Sequence, residues 1–179
     1  MIAQFDGFEI NPIHKGDTWK ICDFAIANAD RLKRYFPKTL EQNLNPTLSK
    51  IYVENRVKAF QNKEVFVFTL KHSETRKLVG LIIIKELNWN IKQGEFAYAI
   101  DYNFNGKKIM SKAIKKLSAH AFETLGLERL QIIVHKDNLP SVNVAINNSF
   151  IWQKTLKNKF TPVGENPLYM ELYELYNER

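Results

Sequence analysis

The sequence predicts an α/β (α+β) protein: a mixed, mostly antiparallel sheet of about seven strands, flanked by helices. Three observations predict it. Stretches of period two and of helical period follow the order strand, two helices, three strands, helix, strand, helix, two strands. The run Leu78-Val79-Gly80-Leu81-Ile82-Ile83-Ile84 is apolar on both faces, as a covered central strand is. A helical stretch separates the strand ending at Asp101 from the one beginning at Leu130. That connection favours a parallel neighbour pair within an otherwise antiparallel sheet.

Each element has its own signal. Phe5 to Ile13 reads as the first strand, ending at Pro12. Asp17 is placed to cap a helix carrying Trp19, Ile21, Phe24, Ala25 and Asn28. A break at Phe36-Pro37 precedes a second helix, started by Asn45-Pro46-Thr47, with Leu48, Ile51, Tyr52, Asn55, Ala59 and Phe60 at apolar spacing. Glu64 to Lys71, Lys77 to Leu87 and Gly94 to Asp101 read as strands, with a turn at Asn88-Trp89-Asn90. Met110, Ala113, Ile114, Leu117, Ala121 and Phe122 then switch to helical spacing, closed by Gly126. Leu130 to His135 is a strand and Leu139 to Asn148 a short helix with Pro140 in its first turn. Phe150 to Leu156 and Leu168 to Tyr176 form a closing hairpin.

No repeat, low-complexity tract or linker divides the 179 residues, which are expected to form a single domain, 1–179. The single cysteine, Cys22, rules out an intramolecular disulfide and argues against a cysteine-based metal site; no metal is expected. The N-terminus has neither a basic region nor an apolar core of a signal peptide, and the longest pure apolar run, Leu81 to Ile84, is far too short to cross a bilayer. A cytoplasmic protein without membrane association is expected. The net charge of +7 fits a solvated basic surface, a phosphate-bearing ligand or a nucleic acid. The lysines are scattered, with short clusters only at Lys107-Lys108 and Lys115-Lys116, and no nucleic-acid motif is present, so nucleic acid ranks last.

Two segments stand out chemically. The loop Asn103-Phe104-Asn105-Gly106-Lys107-Lys108-Ile109 joins a strand to a helix. A helix start aims unpaired N–H groups and the positive end of its dipole at one spot, where a phosphate binds. An ordinary turn with exposed lysines explains the same residues. Asn138-Leu139-Pro140-Ser141 likewise follows a strand and opens a helix. A helix cap at Asn138 or Ser141 would account for one of those side chains without a ligand.

Taken together, the segments resemble the GNAT acetyltransferases. Glu95 to Asp101, Tyr102 to Met110 and Leu125-Gly126-Leu127-Glu128-Arg129-Leu130 look like motif A and the strand after it. Asn138 to Ala145, ending at Ser149-Phe150, looks like the Asn-x-x-Ser helix of that superfamily. Phe8-Glu9-Ile10-Asn11-Pro12 and Tyr169-Met170-Glu171-Leu172-Tyr173 are similar to the branch containing ribosomal-protein N-terminal alanine acetyltransferases. Departures occur within the match. In the family loop Arg/Gln-x-x-Gly-x-Gly/Ala, this chain has Asn105, Lys108 and Met110, keeping Gly106; Ser149 stands where a glycine is usual.

The resemblance implies a twisted sheet splayed at the motif-A strand, and direct transfer of an acyl group, acetyl foremost, from acetyl-CoA to a primary amine. The acceptor it suggests is a protein N-terminus, with a small amine also open. It implies that Ile100, Gly106, Lys107, Lys108, Ile109, Met110, Ser111, Asn138 and Asn143 contact the cosubstrate. Glu95 takes the place of a common acidic residue, and Ser141 that of a serine proposed to protonate the departing thiolate. Asn138 would position the pantetheine arm or the acceptor. The oxyanion donor would be a backbone N–H near Ala99-Ile100. Glu95 also reads as a strand-edge surface carboxylate, and His135, beside Asn138, as a structural histidine with a base role left open. The altered loop keeps a second function open: a weak or inactive GNAT-like module that senses CoA or binds protein.

Overall fold

A computed structural model describes residues 1–178. Its eight strands form one sheet in the order β1-β2-β3-β4-β5-β6-β8-β7. The sheet is flanked by helices and is mostly antiparallel with one parallel pair. The strands are β1 (Ala3–Phe5), β2 (Phe8–Pro12), β3 (Phe66–His72), β4 (Leu78–Asn88), β5 (Gln93–Ile100), β6 (Arg129–Val134), β7 (Ile151–Phe160) and β8 (Leu168–Tyr176). The chain clusters into two compact units: 1–83 with 98–105, and 84–97 with the chain from Gly106 onward.

The first unit holds α1 (Thr18–Ala27), α2 (Ala29–Tyr35), α3 (Pro37–Glu41) and α4 (Pro46–Gln61). Its core joins Ile21, Phe24 and Ala25 of α1 to Tyr52 and Val53 of α4, and to Val67, Leu78 and Leu81 of the sheet. The eighth strand arises because a short strand, β1, precedes the expected one and pairs with it as a hairpin. Asp6 and Gly7 both take positive φ, 47° and 80°. An Asp-Gly pair in that conformation makes the tight turn that matches strand twist.

Three local readings change. Asp17 does not cap α1 with its side chain. Its Oδ2 accepts from the His14 N–H at 3.0 Å, and its Oδ1 faces Lys71 Nζ at 2.6 Å in a buried pair. A carboxylate taken out of water is held by such a partner rather than by a helix end. Asn28 is not inside a helix but breaks one. Its amide donates to the Phe24 carbonyl at 2.9 Å, at the boundary between α1 and α2. On α4 the buried face runs through Ser49, Tyr52 and Val53, leaving Ile51 exposed, because the apolar spacing is ambiguous by one position.

The second unit holds α5 (Ile109–Glu123) and α6 (Leu139–Asn147). Ala113, Ile114, Leu117 and Ala121 of α5 are fully buried, as their spacing predicts. β5 and β6 pair in parallel, but only from Gln93–Arg129 to Phe96–Ile132. β5 continues to Ile100 and β6 to Val134 beyond that register. This is the splay expected at the motif-A strand. β7 extends to Phe160, four residues past its expected end, with irregular pairing to β8 after Trp152 and after Leu156.

Candidate active site

Glu95 lies on β5 inside the short parallel register, opposite Gln131. Its side chain is only 12% exposed, and Lys85 Nζ stands 3.6 Å from Oε1. Burial pushes its carboxyl above the ordinary value, Lys85 and Lys159 pull it back in part, and Glu86 adds a further upward push. Glu95 lines an open cleft of about 750 Å³ with Glu86, Asn88, Trp89, Gln93, Gln131 and Lys159. The cleft wall turns at Glu86, which sits in left-handed backbone inside β4, φ 50°. Thus a largely buried carboxylate with raised proton affinity opens onto a polar cleft, a setting in which a carboxylate can act as a general base. The strand-edge reading of Glu95 does not describe this environment.

In the first unit, Ile100 ends β5 in a dense polar network. Arg31 Nη1 donates to the Ile100 carbonyl at 2.7 Å, and its guanidinium lies 4.6 Å from the centre of the Tyr102 ring. Asn28 donates to Asp101 Oδ2 at 3.4 Å and accepts from the Tyr102 N–H at 3.2 Å. Asp101 is buried, which alone would raise its pKa. The Asn103 N–H, the Asn28 amide and the Lys77 charge outweigh that and hold it below its ordinary value.

The loop into α5 has two left-handed residues, Gly106 at φ 73° and Lys108 at φ 59°. Lys108 is the N-cap of α5 and makes no side-chain capping bond. The first-turn N–H groups of Ile109, Met110 and Ser111 have no acceptor within the helix by geometry. Lys107 and Lys108 are exposed beside them. Lysine at φ 59° is strained by Cβ, at a cost of about 1–2 kcal/mol against glycine. Glycine also frees the unfolded chain, offsetting about 0.4–1 kcal/mol. Lys108→Gly is therefore expected to raise stability by about 0.5–1 kcal/mol, read from denaturant melts. Ser149, which also stands where a glycine is usual, is left-handed too, φ 62°.

Asn138 is the N-cap of α6, yet its side chain makes no capping bond. The cap explanation therefore does not account for that side chain. Ser141 is the third helical residue, half-buried, and Asn143 is exposed. Sequence reading missed Asn148, which ends α6. Its Nδ2 donates to the Val144 carbonyl at 2.8 Å, the Ser111 carbonyl at 3.0 Å and Ser111 Oγ at 3.2 Å. It ties the end of α6 to the start of α5. Its position just before Ser149-Phe150 was the available signal. His135 Nδ1 accepts from the Asp137 N–H at 3.2 Å and is part of a turn. Among the candidates, Gly106 to Ser111 share one loop and helix start, and Asn138, Ser141 and Asn143 share α6. The residues lining the Glu95 cleft include none of these. No cluster of three or more His, Cys, Asp or Glu suited to a metal occurs among the described residues.

Comparison with known proteins gives this arrangement its class. The acetyltransferase (GNAT) domain family matches residues 8–151, so the chain belongs to that family and is an acyl-CoA-dependent N-acyltransferase. A relative named uncharacterized N-acetyltransferase YoaA, from Bacillus subtilis (strain 168), is 22% identical over 87% of this chain and 86% of its own length. The ribosomal-protein-S5-alanine acetyltransferase of Vibrio fischeri superposes with a TM-score of 0.91 at 19% identity, covering 98% of this chain and 96% of that one. The ribosomal L7/L12 alpha-N-protein acetyltransferase RimL, solved with coenzyme A, gives 0.88 at 17% identity, covering 98% and 97%. At these identities the structural likeness establishes the fold.

Proposed function

We propose that the chain transfers an acetyl group from acetyl-CoA to the α-amino group of a protein N-terminus. The observation carrying this reading is Glu95, a largely buried carboxylate of raised pKa at the wall of an open polar cleft. An amine is protonated at neutral pH and must lose a proton before it attacks a thioester; a base poised above the usual carboxylate range serves that step. Support for the acceptor class comes from the similar ribosomal-protein acetyltransferases. A cleft lined by Asn88, Asn90, Gln93 and Gln131 also offers amides that match peptide groups.

The cosubstrate supplies the activated acyl thioester. The residues fit its phosphates: uncapped N–H groups at the start of α5, two exposed lysines, and a loop kept open by left-handed Gly106 and Lys108. Ser111 adds a hydroxyl whose oxygen accepts from Asn148. Asn138, whose side chain makes no capping bond, and Asn143 contribute from α6. Ser141 protonates the leaving thiolate. No helix is long and apolar enough to cross a membrane among the described residues; the reaction we propose is cytoplasmic.

The test is release of free thiol from acetyl-CoA with pooled N-terminal peptides and small amines, followed by mass analysis of the peptides. Acetylated N-termini are expected. Acetyl-CoA should also raise the melting temperature, by about 2.7 kcal/mol of apparent stability at a hundredfold excess over Kd. A melting shift without thiol release from any amine would overturn turnover and leave the CoA-sensing module. No shift and no release would overturn both.

A further inference from the structure

The cleft beside Glu95 is lined by two carboxylates, Glu86 and Glu95, and, among the described residues, by a single cation, Lys159. The proton step assigned to Glu95 makes no use of that lysine. We propose that Lys159 determines acceptor specificity by binding a carboxylate of the acceptor, so that the cleft takes N-termini with an acidic side chain close to the reacting amine. The inference rests on the acetyl-transfer reading above and narrows the acceptor class within it.

Lys159 reaches the cleft from the outer strand. The order β5-β6-β8-β7 puts three strand spacings between Glu95 and β7. In a flat sheet that is about 14 Å, more than a lysine side chain spans. β7 is not regular here. Leu156 pairs with Met170 and Phe160 with Leu168, so Lys157, Asn158 and Lys159 stand against Tyr169 alone. Asn158 takes left-handed backbone, φ 51°, which asparagine tolerates better than most residues. A bulge of this kind bends its strand and re-aims a side chain. Lys159 thus lines the same cleft as Gln93, Glu95, Gln131 and Ile133, while Lys157 and Asn158 do not.

The charge of Lys159 is not committed to a neighbour. The near partner of Glu95 is Lys85, with Nζ 3.6 Å from Oε1. Lys159 acts on Glu95 as the weaker of the two cations. It is exposed, and among the described residues it forms no ion pair. An acceptor ammonium is attracted by Glu86 and Glu95 and opposed by Lys159. A carboxylate near that ammonium turns the lysine from an opposing charge into an attracting one. Discrimination is a difference of affinities, and the lysine contributes to it with both signs. The amides of Asn88, Asn90, Gln93 and Gln131 meet peptide groups of any sequence, so they do not select among side chains.

The experiment compares wild type with Lys159→Met, Lys159→Glu and, as a control on the same bulge, Lys157→Met. The acceptors are N-terminal peptides with aspartate, its neutral isostere asparagine, or arginine at one of the first four positions. Thiol release from acetyl-CoA gives kcat and the peptide KM at one pH and two salt concentrations. Wild type is expected to favour aspartate over asparagine by about fivefold in kcat/KM at one position, mainly through KM. That preference should shrink with added salt. It should vanish in Lys159→Met, turn towards arginine in Lys159→Glu and survive in Lys157→Met. Removing Lys159 also shifts the base for every acceptor alike, and the ratio of aspartate to asparagine peptide cancels that shift. Lys159 is exposed, so Lys159→Met keeps the fold, which its melting temperature checks. Equal kcat/KM for aspartate and asparagine at every position in wild type overturns the inference and leaves acetyl transfer standing. A preference that persists in Lys159→Met overturns it as well. A wild type that releases no thiol with any peptide sinks the acetyl-transfer reading, and this inference with it.

Discussion

Ser141→Ala is expected to lower acetyl transfer by about 10²–10⁴-fold while acetyl-CoA still binds. The departing thiolate needs a proton, and a hydroxyl placed beside it supplies one. Ser141 is half-buried at the third position of α6, one turn inside the helix rather than at its N-cap. Asn138 occupies the cap position by backbone geometry. If Ser141 served only the helix, its loss would cost about 1 kcal/mol of stability and leave turnover per folded molecule intact. The two outcomes separate in one preparation: steady-state kinetics for the first, a denaturant melt for the second. A second check is a thiol ester with a more acidic leaving group. Such a thiolate departs without help, so the Ser141→Ala deficit should shrink. A deficit that stays constant would remove Ser141 from the acid role.

What sequence reading captured follows from where the information lies. The covered strand at Leu78–Ile84, the amphipathic α5 and the parallel pair at β5–β6 are written in local apolar spacing and in the order of elements. Of the positions where the family pattern has a small residue, Lys108 and Ser149 hold left-handed backbone, while Met110 lies inside α5. No propensity of lysine or serine announces that conformation; only the family pattern pointed to those positions. What was missed depends on partners far away in the chain. Asn28 fitted a helical spacing, but its hydrogen bond to Tyr102 lies 74 residues on. Arg31 carried no signal at all, since its acceptor is a backbone carbonyl 69 residues away. Asp17 fitted a helix start, and a buried lysine claimed it instead. The missed first hairpin is different: Asp6-Gly7 is a local turn signal that the surrounding strand pattern hid.

Glu95→Gln is expected to lower kcat/KM by about 10²–10⁴-fold and to change the pH profile. Burial raises the Glu95 pKa, more than Lys85 and Lys159 lower it. The base form exists above that pKa, so wild-type activity should fall as pH falls through it, and its acid limb should sit above the range of an ordinary carboxylate. In Glu95→Gln that limb should disappear, leaving the acceptor amine's own titration. Acceptors of high basicity should suffer most, because their deprotonation is hardest. The stability sign runs the other way from activity. A carboxyl whose folded pKa lies above its unfolded value binds more protons when folded. Its contribution is fully present below the unfolded pKa and is lost as pH rises through the folded one. At neutral pH the ionised Glu95 is therefore a cost, eased by Lys85 at 3.6 Å. Glu95→Gln should melt no lower than wild type at neutral pH, and its relative advantage should vanish in acid. A catalytic loss at unchanged or higher melting temperature is thus the signature of a base. An unaltered acid limb in the variant would assign that limb to another group and return Glu95 to a bystander of the cleft wall.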